Sequence, residues 1–191
     1  MKKIGFALIA TLMITTAHAE LVSNVPLDIS RFELMNTAAL ANYANNNNQH
    51  AQFFLAKRLQ KGDGMPVDSK TAAYWYGRAA EQNVPPAMLN LGIMYLKGEG
   101  VPADMNKARQ WLEKAAHLGD NRASYALAIL DERASKLVDA YKWYSLSARD
   151  AMLDDKVKNK AREKIGQLAL NMSLNEMQNA KQKADSWFQN R

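Results

Sequence analysis

Two octapeptides carry the residue types that most resemble a ligand-gripping loop, "KGDGMPVD" at 61–68 and "KGEGVPAD" at 97–104. Glycine-rich turns cradle phosphate when a strand precedes them and a Lys-Ser or Lys-Thr pair closes them into a helix. Neither feature flanks either copy. The acids Asp63, Asp68, Glu99 and Asp104 can attract a cation, but their spacing fits no calcium loop. A turn accounts for every position instead. Gly62 and Gly98 fall where a left-handed helix C-cap is wanted. Pro66 and Pro102 stop the helix and push Met65 and Val101 into extended backbone. Asp68 and Asp104 stand where an N-cap carboxylate accepts a backbone N–H of the next helix.

Other chemistry is scarce. Beyond the first 19 residues only His50 and His117 remain, in different parts of the chain. No His-Glu-x-x-His or Gly-x-Ser-x-Gly motif appears, and no pair of carboxylates invites acid/base work. The absence of cysteine excludes disulfides, thiolate metal sites and a cysteine nucleophile. No catalytic residue, metal ligand or cofactor is therefore assigned.

Stepping the chain by 36 residues shows what the loops connect. Ala51, Leu55, Gly62, Gly64, Pro66, Asp68, Ala72, Trp75, Ala79 and Ala80 land without a gap on Ala87, Leu91, Gly98, Gly100, Pro102, Asp104, Ala108, Trp111, Ala115 and Ala116. A fixed period of roughly 20–50 residues marks stacked units that cannot bury an apolar face alone. Each unit reads as helix, loop, helix, with apolar residues spaced by three and four. Small residues let helix axes approach closely, and Trp75 and Trp111 are expected to fill the space between hairpins. A third unit starts at Ala123, but Ala140, Trp143 and Ala148 match Ala72, Trp75 and Ala80 only at a shift of 68, so four loop residues are missing. Residues 131–136 make the tighter connection.

The pattern Ala-x-x-x-Leu-Gly/Ala…Gly-x-Gly-Val-Pro-x-Asp…Ala-x-x-Trp-x-x-x-Ala-Ala resembles the Sel-1-like repeat, a relative of the tetratricopeptide repeat. The resemblance covers about residues 51–150. It implies an all-α fold, an α/α solenoid of helical hairpins that mediates protein–protein assembly, often in bacterial envelopes, signalling or secretion. Cysteine-rich members resemble β-lactam-binding proteins, and this chain has no cysteine.

The expected organisation is a signal peptide at 1–19, an N-terminal segment and capping helix at 20–50, three repeats at 51–86, 87–122 and 123–155, and capping helices at 156–191. Lys2 and Lys3, an apolar run at 4–14 and Ala17-His18-Ala19 make the signal, which places the chain in the periplasm or outside the cell. The run is too short to span a bilayer, so no membrane insertion is expected after cleavage. Ser30-x-x-Glu33 opens the front cap, and Phe32, Met35, Ala39, Leu40 and Tyr43 stripe one expected helix. At the back, Val157, Ala161, Ile165, Leu168 and Ala169 stripe one helix. Ser173-x-x-Glu176 opens a second, with Met177, Ala180, Ala184, Trp187 and Phe188 on one face. Those last helices either cap the array or dock a partner or membrane with Trp187 and Phe188 exposed.

The net charge of +6 includes Lys2 and Lys3, and residues 156–191 carry eight Lys/Arg against three Asp/Glu. This is a basic C-terminal end and not a basic protein, and nucleic acid is not the expected partner of an exported chain. The helix "AMLNLGIMYLKG" is apolar nearly all round, which fits a helix that is enclosed or that covers something else. By the resemblance, its positions Leu89, Ile93 and Leu96 line the concave face, with Phe53 and Lys57 before them and Tyr125 and Ile129 after. The expected partner is a peptide or helix of an envelope protein in that groove. The alternatives are an envelope hydrolase acting on cell wall or β-lactam, and a membrane-surface protein using the basic C-terminal helices.

Overall fold

The computed structural model describes residues 30–149 and 155–189. The signal at 1–19, residues 20–29, the end of the third repeat at 150–154 and the side chain of Phe188 lie outside the described residues. Among the described residues there are ten helices and no strand. The chain divides into two compact units, residues 1–35 and residues 36–191. The first contributes α1 (Ser30–Leu34), where the Arg31 guanidinium lies 4.9 Å from the Phe32 ring centre.

The second unit opens with α2 (Thr37–Asn45). The expected single helix through Phe32 and Tyr43 is therefore two. Asn36 adopts extended backbone, and its side chain accepts the Ala39 N–H at 2.9 Å. Asparagine competes well for backbone donors, so it starts a helix more readily than it sits within one.

Three hairpins follow: α3 (Gln49–Lys61) with α4 (Ser69–Glu81), α5 (Pro85–Lys97) with α6 (Met105–His117), and α7 (Asn121–Arg133) with α8 (Leu137–Arg149). Consecutive helices from α2 to α8 pack on one another. The alanines and leucines of the repeat are buried, including Ala51, Leu55, Ala72, Ala87, Leu91 and Ala108. Gly92 admits no side chain, because a Cβ there would stand 2.9 Å from Leu112 Cγ. Trp75 and Trp111 are only half-buried, contrary to expectation. The space between hairpins is filled one position later by Tyr76, Leu112 and Tyr144, all fully enclosed. One residue rotates a helix position by about 100°, so the adjacent tryptophans face the outer side of the second helices.

The loops behave as turns. Gly62 and Gly98 are left-handed, at φ 74° and 68°, and the Gly62 and Asp63 N–H groups both bond to the Arg58 carbonyl. Asp68 caps α4 through the Thr71 N–H and hydroxyl, and Asp104 caps α6 through the Asn106 and Lys107 N–H groups. One bond closes every loop: Asp68 N–H to Leu59 O, Asp104 N–H to Tyr95 O, and Lys136 N–H to Asp131 O, at 2.9, 3.0 and 2.8 Å. Donor and acceptor stand nine positions apart in the first two copies and five in the third, so the four-residue deletion shortens the loop and keeps its closure.

The turns between hairpins repeat as well. Asn47, Asn83 and Gly119 share positive φ, at 61°, 61° and 88°, and stand 36 residues apart. The run of four asparagines thus ends a helix and, through Asn48, caps α3. By this register α2 is the second helix of a half-unit that precedes the first hairpin.

The array ends with α9 (Asp155–Ala169) and α10 (Leu174–Gln189), which both pack on α8. Ala161, Leu168, Ala180 and Ala184 are buried, and Val157, Ile165 and Ala169 half-buried. Ser173 and Glu176 form the expected reciprocal cap. Trp187 is not free for an outside surface. It stacks on His117 at 4.1 Å between ring centres and meets Trp143 edge-on at 4.8 Å. Lys183 pairs with Asp139 at 2.9 Å and Asp185 with Arg149 at 2.5 Å. As described, α10 is a cap. Among the described residues no helix is long and apolar enough to cross a membrane.

Candidate protein-binding surface

The seven residues expected to line a groove lie on the first helices of the three hairpins: Phe53 and Lys57 on α3, Leu89, Ile93 and Leu96 on α5, and Tyr125 and Ile129 on α7. Six of them are half-buried, which leaves apolar edges at the surface. Leu89 is different. It is 6% exposed and belongs to the core, so it is withdrawn from the surface. Its helix is buried at Ala87, Met88, Leu89 and Leu91 alike, because α5 sits between α4 and α6 near the middle of the array.

The aromatic members are held from behind by tyrosines. The Phe53 ring lies 5.9 Å from Tyr76 and 5.2 Å from Phe54, and the Tyr125 ring lies 5.3 Å from Tyr144. Lys57 Nζ stands 5.5 Å from the Phe54 ring centre, which brings this cation beside Phe53. The two tyrosine hydroxyls reach the same repeat position. Tyr76 donates to Gln60 Oε1 at 3.0 Å, and Tyr144 donates to Glu132 Oε2 at 2.5 Å. Burial raises both hydroxyls well above the ordinary tyrosine pKa, and the Glu132 carboxylate adds to the rise at Tyr144. The third member of that row is Leu96, which has no such partner chemistry.

The ends of the row differ. Gln60 also donates to Glu99 at 3.2 Å, tying the first hairpin to the second loop. Glu132 also takes Lys164 of α9 at 2.9 Å, so the C-terminal cap reaches the Tyr125 end of the face. What stays open is an apolar surface of Phe53, Ile93, Leu96 and Ile129 with Lys57 beside it. Such a surface can hold apolar side chains of another chain. It lacks a nucleophile and base within reach of each other. Among the described residues no group of three or more His, Asp or Glu is placed to hold a metal ion. His50 lies at the start of α3, with its pKa lowered by burial, and His117 is engaged by Trp187.

Two features escaped the sequence. Asp131, 2% exposed, takes both terminal nitrogens of Arg109 and so locks α6 to α7. The signal was an acid standing where Leu59 and Tyr95 stand in the other units. Two grooves also run along the outer side between α4 and α6, and share Glu81 and Trp111 as lining. The half-exposed tryptophans mark that side.

The family model described as Sel1 repeat matches residues 49–84, 85–120 and 135–151. The first two matches coincide with the hairpins α3–α4 and α5–α6 and their following turns, and the third covers α8. The fold is similar to that of a Sel1 repeat protein from Oxalobacter formigenes, at TM-score 0.57 and 30% identity, over 63% of this chain and 47% of that one. A protective antigen present in uropathogenic Escherichia coli strains, displaying an SLR fold, matches at TM-score 0.57 and 19% identity, over 80% of this chain and 40% of that one. This second likeness concerns the fold alone. The chain spans less than half the length of either structure. No curated protein matches the sequence.

Proposed function

We propose, from the premise that the chain belongs to the Sel1 repeat family, that it is an exported helical-repeat adaptor of the bacterial envelope. Its inner face holds a peptide or helix of another protein. The observation that carries this reading is the set of half-buried apolar side chains on the three first helices, Phe53, Ile93, Leu96 and Ile129, of which Ile93 and Ile129 hold the same repeat position. Scattered apolar residues on a surface need no reason, whereas apolar side chains on the first helix of each successive unit favour a ligand that runs across the units. Lys57 sets the orientation of a partner that carries an acid near one end. The reading assigns no catalytic step and no cofactor to the chain.

Export is supported by Lys2, Lys3, the apolar run at 4–14 and Ala17-His18-Ala19. The partner then belongs to the envelope, in a secretion, motility or signalling assembly. This part rests on what such repeats commonly serve. Two measurements test the whole. N-terminal sequencing of the chain from the periplasmic fraction should begin at Glu20, and an intact Met1 there refutes export. A photo-crosslinking residue at Phe53 or Ile93 should capture one envelope protein in living cells, and the same residue at exposed Lys61 should not. Equal capture at all three positions, or none at any, overturns the groove.

A further inference from the structure

The outer side carries a second surface, and the chain contains a template for what fills it. Between α6 and α8, Trp187 of α10 rests on His117 and Trp143. One repeat earlier, between α4 and α6, the positions equivalent to His117 and Trp143 are Glu81 and Trp111. Ala80 likewise stands for Ala116, and Met88 for Ser124. Glu81, Trp111, Ala80 and Met88 line a cleft of about 430 Å³, which Lys114, Leu118 and the Trp187 partner His117 also line. That cleft is the socket of Trp187 repeated in register.

Charge decides what enters. In the filled interval Lys183 of α10 pairs with Asp139 at 2.9 Å. The residue of α6 equivalent to Asp139 is Lys107, whose side chain is 59% exposed and whose own ion pair with Asp104 is long, at 3.8 Å. A second copy of α10 would therefore set Lys183 against Lys107. On one helix face, positions four apart are neighbours. We infer that the socket between Glu81 and Trp111 binds a partner's amphipathic helix with an acid at one position and an aromatic anchor four residues later. The aromatic enters the cleft beside Trp111, and the acid meets Lys107. The helix lies along α6 as α10 lies along α8, so the chain is a scaffold with two faces.

The probe is a fluorescein-labelled peptide of residues 174–189 carrying Lys183→Glu, titrated against the full chain by anisotropy, with the unaltered peptide beside it. The charge-reversed peptide binds about threefold tighter than the unaltered one, as a surface ion pair allows. Trp187→Ala in the peptide weakens binding at least about tenfold, as loss of an aromatic anchor does. Lys107→Glu in the protein inverts the preference between the two peptides. Trp111→Ala in the protein also abolishes the difference, and if circular dichroism shows that variant unfolded, Lys107→Glu decides alone. The proposal falls if neither peptide binds. It falls equally if binding ignores Lys107→Glu, because the peptide has then replaced α10 on α8. Crosslinks from Ile93 stay unchanged when the peptide is added, which separates this test from that of the inner face.

Discussion

Gly64 and Gly100 occupy the same place in successive loops, at the same φ of 71°, yet their surroundings are unequal. A Cβ at Gly64 would lie 3.6 Å from the Thr37 hydroxyl, whereas a Cβ at Gly100 would lie 2.1 Å from the Ser69 carbonyl oxygen at the start of α4. Left-handed backbone alone costs a non-glycine residue about 1–2 kcal/mol. Gly64→Ala should therefore lose about 1 kcal/mol, and Gly100→Ala about 3 kcal/mol or more, because backbone must shift as well. Urea denaturation of the two variants measures the difference, and equal losses would show that the loop moves aside freely. Asp68 offers a pH test at the same scale. The Thr71 hydroxyl and then the Thr71 N–H hold its carboxyl below the usual range. A carboxylate with a lowered folded pKa contributes stability above its unfolded pKa, about 3.9, and loses it as the pH falls through the folded value. Asp68→Asn should flatten the acid side of the stability–pH curve below about pH 4, and an unchanged slope would assign that limb to other groups.

At the scale of helices, α10 is held by one aromatic cluster and two ion pairs. Lys142 joins the cluster, with Nζ 3.8 Å from the Trp143 ring centre and 5.3 Å from that of Trp187, and burial lowers its pKa. The pairs Lys183–Asp139 and Arg149–Asp185 are exposed, and such pairs give about 0–1 kcal/mol each. Trp187→Ala should cost about 2 kcal/mol, below the range for a fully buried tryptophan, and Lys183→Ala less than half of that. Hydrogen exchange should then quicken in α10 while α3 to α6 keep their protection, and a loss that spreads through α3 would contradict a local cap. How much of this was legible in the sequence follows from range. The loops were, since Gly62, Pro66 and Asp68 act through local backbone chemistry. The faces of long helices were less so. Trp75 and Tyr76 differ by one position, and only the packed neighbour decides which turns inward. The same holds for Leu89, whose burial depends on α4 and α6 rather than on its own helix. The seat of Trp187 on His117 joins residues 70 apart, which no short pattern reveals.

From α2 to α10 the described residues are held together mainly by contacts between helices that are neighbours in sequence. Gln60–Glu99 links the first two hairpins, Arg109–Asp131 the second and third, and Lys164–Glu132 the third and its cap. An array of this kind behaves as a one-dimensional chain of units joined by interface terms. A lesion in the middle should divide it, whereas a lesion at the end should only fray it. Leu112 supplies the middle lesion, because it is fully buried and sits against Gly92 of α5. Leu112→Ala should cost about 2–5 kcal/mol. The loss should appear as fast amide exchange concentrated in α5 and α6, with α2 to α4 on one side and α7 to α10 on the other exchanging more slowly. Exchange that rises evenly from α2 to α10 would mean that the units unfold as one body. The two faces would then report on each other, and a helix bound beside Trp111 would alter what Ile93 can hold.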